Sequence, residues 1–290
     1  MLSNKKILIT GASGLLGGRA VKVLSAANDV YALSHRSPEV PVAGVNYITS
    51  DFSTYFDCAE FPAQVDVVIH LSQSSRFREF PEQAMNIFNV NVASTARLLE
   101  YARTAGCEHF VYASSGGIYE SAKSQVNENS PIVSHGSLGY YLASKLCGEL
   151  LVKSYVSSMD VSILRFFFMY GEGQRRSMLL PRLVDNVRAG NPVQLQGEEG
   201  LMINPVHVAD AVRALESVIS TKGSNTFNVA GNEVVSLKQL ADQIGSIVGA
   251  VPAFETAPGE ASGLVADISS LKALGWAPQV SLQEGLKELL

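Results

Sequence analysis

A chain of 290 residues that is 47% hydrophobic is long enough to bury a large α/β core, which excludes disorder as its main state. The net charge of -5, with Lys and Arg scattered singly, supplies no basic stripe for a phosphate backbone, so nucleic acid is not an expected partner. Three cysteines, Cys58, Cys107 and Cys147, form no CxxC pair; they argue against a disulfide framework or zinc site and for a reducing compartment.

Ahead of the first apolar run, Ile7 to Ile9, there is no stretch with the length of a leader's apolar core, and no later run is long enough to span a bilayer. A cytoplasmic protein is expected. Runs rich in β-branched residues predict strands at Lys6 to Thr10, Asp29 to Leu33, Asn46 to Thr49, Asp66 to Leu71, His109 to Ala113 and Val161 to Phe166. Amphipathic stretches between them predict helices at Leu15 to Ala27, Glu82 to Ala105 and Leu138 to Ser158. This alternation reads as an α/β, Rossmann-type doubly wound parallel sheet over residues 1–170. Beyond Gly171 the pattern changes to helices at Leu179 to Ala189, Val208 to Ile219 and Ser236 to Val248 with short strands. Residues 171–290 are therefore expected to form a smaller C-terminal α/β lobe for substrate, interleaved with the first rather than independent of it.

The first strand runs into Gly11, Ala12, Ser13, Gly14, Leu15, Leu16 and Gly17, a glycine turn opening a helix. Glycines at intervals of three permit a tight turn, close approach of backbone N–H groups to a pyrophosphate, and close packing of helix on strand. The second strand ends Leu33, Ser34, His35, Arg36, without the carboxylate that would hold a ribose 2′-OH. Arg36 is able to pair with a 2′-phosphate, so NADP is the preferred cofactor and NAD the alternative; the plain reading of Arg36 is a solvated loop charge.

Tyr141 and Lys145 lie four apart on a predicted helix and share a face. With 10 tyrosines in the chain the pair carries weight only through its place, after the strand His109 to Ala113 and the segment Ser114, Ser115, Gly116, Gly117, Ile118, Tyr119. A phenol near its ordinary pKa of about 10 is a poor base at neutral pH; a nearby ammonium favours the phenolate, which then takes the proton of an alcohol as hydride leaves carbon.

Together the glycine spacing and the Tyr/Lys helix make the chain resemble the extended short-chain dehydrogenase/reductase family, which includes nucleotide-sugar epimerases, dehydratases and ketoreductases. Landmarks continue through Asn91, Glu128, Pro131, Glu149, Arg165, Tyr170, Gly171, His207, Val208 and Asp210 to the tail from Asp267 to Gly285. The resemblance implies Ser115, Tyr141 and Lys145 as catalytic residues, with Ser115 holding the reacting oxygen and Ser114 its rival. It implies cofactor contacts at Gly11, Ser13, Gly14, Leu15, Leu16, Gly17, Ser34, His35, Arg36, Asp51, Phe52, Leu71, Ser72, Gln73, Asn91 and Phe168, besides Tyr141 and Lys145. Substrate contacts are expected at Ser74, Gly116, Gly117, Arg175 and Arg176, and no metal is expected.

Departures from the family pattern bear on the substrate. Gly116 and Gly117 stand where dehydratases carry an acidic pair, Phe168 where sugar-nucleotide enzymes often carry Asn, and Ile203 where they carry Arg. Trp276 is expected in the core. The resemblance implies a ketoreductase on a nucleotide-activated sugar. An epimerase with retained NAD, a reductase of a non-sugar carbonyl and a non-catalytic NADP-sensing module are the alternatives. A homodimer built on the helices Glu82 to Ala105 and Leu138 to Ser158 is expected by the same analogy.

Overall fold

The computed structural model describes residues 2–119, 125–133, 138–259 and 261–290. The chain divides into two compact units, the first spanning Met1–Ile118, Ser134–Arg165 and Val212–Phe227 and the second Tyr119–Val133, Phe166–Ala211 and Asn228–Leu290. The chain thus enters the second unit well before residue 170 and later returns to the first.

In chain order the elements are β1 (Lys6–Thr10), α1 (Leu15–Leu24), β2 (Asp29–Ser34), β3 (Asn46–Thr49), β4 (Val67–His70), α2 (Ala84–Phe88), α3 (Ser94–Thr104), β5 (His109–Ser115), α4 (Gly139–Lys153) and β6 (Asp160–Phe166). They continue as α5 (Leu179–Ala189), β7 (Val193–Gln196), β8 (Met202–Ile203), α6 (Val208–Val218), β9 (Ser224–Val229), β10 (Val235–Ser236), α7 (Leu237–Val248), β11 (Phe254–Ala257), β12 (Gly263–Leu264), α8 (Ser269–Lys272) and α9 (Leu282–Lys287).

Seven strands form the main sheet in the order β3-β2-β1-β4-β5-β6-β9, which is the doubly wound arrangement expected. Every residue of β4 and nearly every residue of β1 and β5 is buried, because helices cover both faces of a parallel sheet. Leu8, Leu33, Val68, Phe110 and Ile163 join Leu98 of α3 in one apolar cluster on one side of the sheet. The seventh strand departs from the expectation: β9 comes back from beyond residue 171 to lie beside β6, with Val161 N–H donating to Gly223 O at 2.8 Å.

Two helices differ from expectation for local reasons. Leu15 to Ala27 is shorter as α1, since the Asn28 side-chain amide donates to Leu24 O at 2.8 Å and ends the run. The stretch Glu82 to Ala105 is not one helix but α2 and α3 joined by a π-helical turn, Asn89–Ala93, which carries the buried Asn91. Such wide turns inside α-helices recur at functional sites.

The second unit has its own core, in which Leu183 and Val187 of α5, Leu195 of β7, Leu240 and Ile244 of α7 and Leu286 of α9 pack together. Its sheets are small: β10-β8-β12 and the parallel pair β11-β7. Trp276 is buried and donates to Asp210 O at 3.1 Å, while the Asp210 carboxylate accepts from Gln279 and Val280 N–H. These bonds join the His207 to Asp210 landmark to the tail. Among the described residues no helix is long and apolar enough to cross a membrane.

Glycine at 148 brings α4 close to β5. A Cβ there would lie 2.1 Å from the hydroxyl of Tyr112, a side chain 1% exposed and unable to swing away. Gly148→Ala should therefore overpack this contact and lower stability by about 1–3 kcal/mol, read as a reduced urea midpoint. An unchanged midpoint would show that Tyr112 yields.

Candidate active site

At the carboxyl ends of β1 and β4, where the strand order reverses, two loops meet. Gly11 adopts φ +69, and a Cβ on it would sit 2.9 Å from Leu71 C and Ser72 N; one on Gly17 would sit 2.1 Å from Gly11 O. Glycine is thus required at both positions. Gly14 caps α1 without a side-chain bond, so the amides of the first turn, Leu15, Leu16 and Gly17, have no intrahelical acceptor. The cradle suits the pyrophosphate of a dinucleotide, which needs close backbone and a positive helix end.

Behind the cradle runs a buried polar chain whose hydrogen-bond direction is determined. Thr95 Oγ1 donates to Asn91 O at 2.8 Å, so it must accept from His70 Nε2, 2.9 Å away. His70 Nδ1 is then an acceptor for Thr10 Oγ1 at 2.7 Å, and Thr10 Oγ1 in turn accepts from the N–H groups of Leu71 and Ser72, each at 3.2 Å. At the other end Asn91 accepts from Ser74 N–H and donates to Ser144 Oγ, both at 2.8 Å; Ser144 Oγ donates to Tyr141 O at 2.6 Å. One network therefore ties the loop after β4 to the helix that bears Tyr141.

Ser115 ends β5, accepts from Gly117 N–H at 3.2 Å and hydrogen-bonds the Tyr141 hydroxyl. Ser114, its rival, is buried and donates to Glu149 Oε1 at 2.5 Å. Tyr141 O–H donates to Gln73 Oε1 at 3.0 Å, and the Phe77 ring lies 4.9 Å from its own. Lys145 Nζ, on the next turn of α4, donates to Ala113 O at 2.8 Å. Glu149, a further turn on, is held by Arg165 Nε at 3.0 Å and Nη2 at 2.7 Å.

Burial sets the ionisation here. It pulls Lys145 down to about 8, with Glu149 acting in the opposite sense, so the ammonium is still charged at neutral pH. Burial pushes Tyr141 up to about 12 against the pull of the Ser115 hydroxyl. The depressed phenol expected from the Tyr/Lys pairing is thus not the net effect in the chain alone: removal from water outweighs it. Of its three N–H donors the buried ammonium uses one on Ala113, among the described residues, and ribose hydroxyls are acceptors that fit the others.

Several expected contacts take other roles. Ser74 is 1% exposed, with its hydroxyl on Asn86 Oδ1 at 2.5 Å, so it fastens the loop and does not face a substrate. Asn91 is likewise buried, its amide spent on Ser74 and Ser144, and it positions the site instead of contacting a cofactor. The Phe52 ring stacks on Phe56 at 4.3 Å inside the core, and the Leu16 side chain is also buried there. Asp51 is exposed and held low by hydrogen bonds from Ser53. Ser34 donates to Arg36 O at 2.5 Å, while His35 and Arg36 are exposed at the end of β2. Gly116 and Gly117 form the short helical turn after Ser115, and a Cβ on Gly117 would lie 3.1 Å from the Leu142 side chain.

Phe168, Arg175 and Arg176 belong to the second unit. Phe168 has φ 43, a left-handed conformation uncommon for so large a side chain, and packs against that unit's core. Arg176 pairs with Asp185 and donates to Leu289 O at 2.7 Å, whereas Arg175 is exposed. Ile203, which stands where the family pattern has Arg, is fully buried, and the neighbouring Asn204 is bonded to the backbone of Gly231 and Ala266.

Comparison with known proteins agrees with this layout. A family model described as NAD dependent epimerase/dehydratase family matches residues 7–230. The uncharacterised UDP-glucose epimerase YtcB of Bacillus subtilis is 28% identical, over 97% of this chain and 95% of its own length. Among solved structures, MoeE5 in complex with UDP-glucuronic acid and NAD superimposes with a TM-score of 0.83 at 27% identity, covering 98% of this chain and 97% of its own. The UDP-glucose 4-epimerase of Thermus thermophilus in complex with NAD gives a TM-score of 0.82 at 26% identity, with coverage of 98% and 97%.

The buried histidines make stability depend on pH. Burial, helped by the Lys145 charge, holds His70 near 3, and burial holds His109 near 4, both below the ordinary 6.5. Below about pH 6.5 the unfolded chain takes up protons that the folded chain refuses, so stability falls as pH drops, by up to about 1.4 kcal/mol per unit for each ring. The urea midpoint should decline from about pH 6.5 towards about pH 4.5. A level midpoint across that range would mean that the rings are not held neutral.

Proposed function

The chain belongs to the NAD dependent epimerase/dehydratase family, and on that premise we propose that it epimerises a nucleotide-activated sugar, with NAD retained through the cycle. The observation that carries the reading is the grouping of Ser115, Tyr141 and Lys145 beside a glycine cradle shaped for a dinucleotide. Bound NAD supplies the hydride acceptor and, once the keto sugar has turned over, the hydride donor to its other face.

The protein's own groups handle the proton. Ser115 directs its O–H at the reacting oxygen, Tyr141 takes the proton from that oxygen and later gives it back, and the buried Lys145 charge favours the phenolate when the nicotinamide cation adds to it. Gly116 and Gly117 have no side chain able to add or remove a second proton, so elimination of water does not follow. The resemblance to MoeE5 and to the Thermus enzyme supports a UDP-sugar as substrate.

One observation favours a second reading. The end of β2 offers the Ser34 hydroxyl and exposed Arg36 where an NAD enzyme would carry a carboxylate, which suits NADP and a ketoreductase. Exposed Met85 and Phe88 of α2 and Leu150 of α4 favour a homodimer on this face, which gel filtration should report as twice the chain mass; a monomer at micromolar concentration counts against it.

The test uses UDP-glucose and UDP-glucuronic acid in turn, without added cofactor. The 4-epimer should accumulate, denatured protein should release NAD, and Tyr141→Phe should keep its NAD while losing turnover by about 100-fold or more. Consumption of added NADPH with a reduced product would replace the epimerase by the reductase, and no conversion in either assay would overturn both.

A further inference from the structure

Between the two clamps on the loop after β4 sits one side chain that the catalytic trio does not include. The N–H groups of Leu71 and Ser72 are fixed on Thr10 and that of Ser74 on Asn91, so the backbone at Gln73 is held on both sides. Its side chain is otherwise exposed, yet its amide oxygen accepts from the hydroxyl of Tyr141 at 3.0 Å. Phe77, from the same loop, covers the ring of that tyrosine at 4.9 Å.

A phenol has one proton to donate, and here it points at Gln73. We propose that the Gln73 amide is a further residue of the proton-transfer site, the resting acceptor of the Tyr141 proton, which the reacting oxygen of a substrate must displace before transfer can occur. The inference rests on the reading of Tyr141 as the proton carrier. It involves one proton moving between hydrogen-bond acceptors; no covalent bond other than O–H is made or broken and nothing is oxidised.

The physical consequence has a definite sign. A carbonyl acceptor can bond the neutral phenol but not the phenolate, so Gln73 in this orientation favours the protonated tyrosine. Burial and the Ser115 hydroxyl act on the same group. Among the described residues the charged and titratable groups nearby include Lys145 and Glu149 on α4, Tyr112 on β5, and Arg78, whose guanidinium lies 5.1 Å over the Phe77 ring. None of them changes when residue 73 is replaced.

Two substitutions at this exposed position should act in opposite directions. Gln73→Leu removes the acceptor and should lower the Tyr141 midpoint by about 0.5 to 1 pH unit, the worth of one ordinary hydrogen bond. Gln73→Glu installs an anionic acceptor and should raise it by about one unit or more, since a carboxylate bonds the phenol and repels the phenolate. The readout is the phenolate absorbance band after a rapid pH jump in protein loaded with NAD, taken for each form as the difference from its Tyr141→Phe counterpart. It requires no sugar, so opposite shifts support the Gln73 role even where no UDP-sugar is converted. Midpoints unchanged within about 0.2 units in both variants, or shifts of the same sign, overturn it.

Discussion

Between Thr10 and Thr95 the ring of His70 accepts on Nδ1 and donates from Nε2, an arrangement open only to an uncharged imidazole. The whole site depends on it. Through Thr10 it holds the two N–H groups that start the loop after β4, and through Thr95 it reaches Asn91, from which the bonds run to Ser74 and to α4. Burial and the Lys145 charge keep the ring neutral, so the network and the buried ammonium are mutually consistent. A protonated ring would place a second donor against the Thr10 hydroxyl and set a cation near the Lys145 charge.

The charges at the site are arranged by the same logic. Lys145 is 2% exposed and would be costly to bury without an acceptor and a counter-charge; Ala113 O provides the first and Glu149 the second. Glu149 cannot approach as a free anion, because both its oxygens are taken by Arg165 and one also by Ser114. The ammonium thus sits near an already neutralised pair, close enough to be kept charged and not drawn into a salt bridge that would remove it from Tyr141. Ser114 is spent in this pairing, whereas the Ser115 hydroxyl bonds Tyr141.

Family membership and the glycine cradle point to an adenine dinucleotide, while two features depart from the family pattern. At the end of β2 stand Ser34, His35 and Arg36, with no carboxylate among them. In the second unit a buried Ile203 stands where the family pattern has Arg, and Arg176 is engaged by Asp185. Both are matters of single side chains on a shared backbone, where fold similarity carries little information.

Much of this was legible in local sequence. The boundaries of β1 and β3, the glycine turn, the Tyr141/Lys145 face and α5 follow from periodicity, propensity and spacing, all of which act over a few residues. What local pattern could not convey is where side chains distant in sequence meet. Ser74 and Asn91 looked like ligand contacts and are buried fasteners; Phe52 looked like a cofactor neighbour and its ring belongs to the core. The return of β9 to the main sheet, the π-helical turn under Asn91, the Glu149 to Arg165 pair and the bond from Tyr141 to Gln73 all join positions whose proximity exists only after the chain has folded. Sequence by itself determined the type of fold and which residues are the candidates for handling a proton, because backbone preference and residue chemistry are local properties. Tertiary structure alone decided which polar atoms are consumed in holding the site and which remain to act, because a hydrogen bond is allotted by distance and direction in space, not by order along the chain.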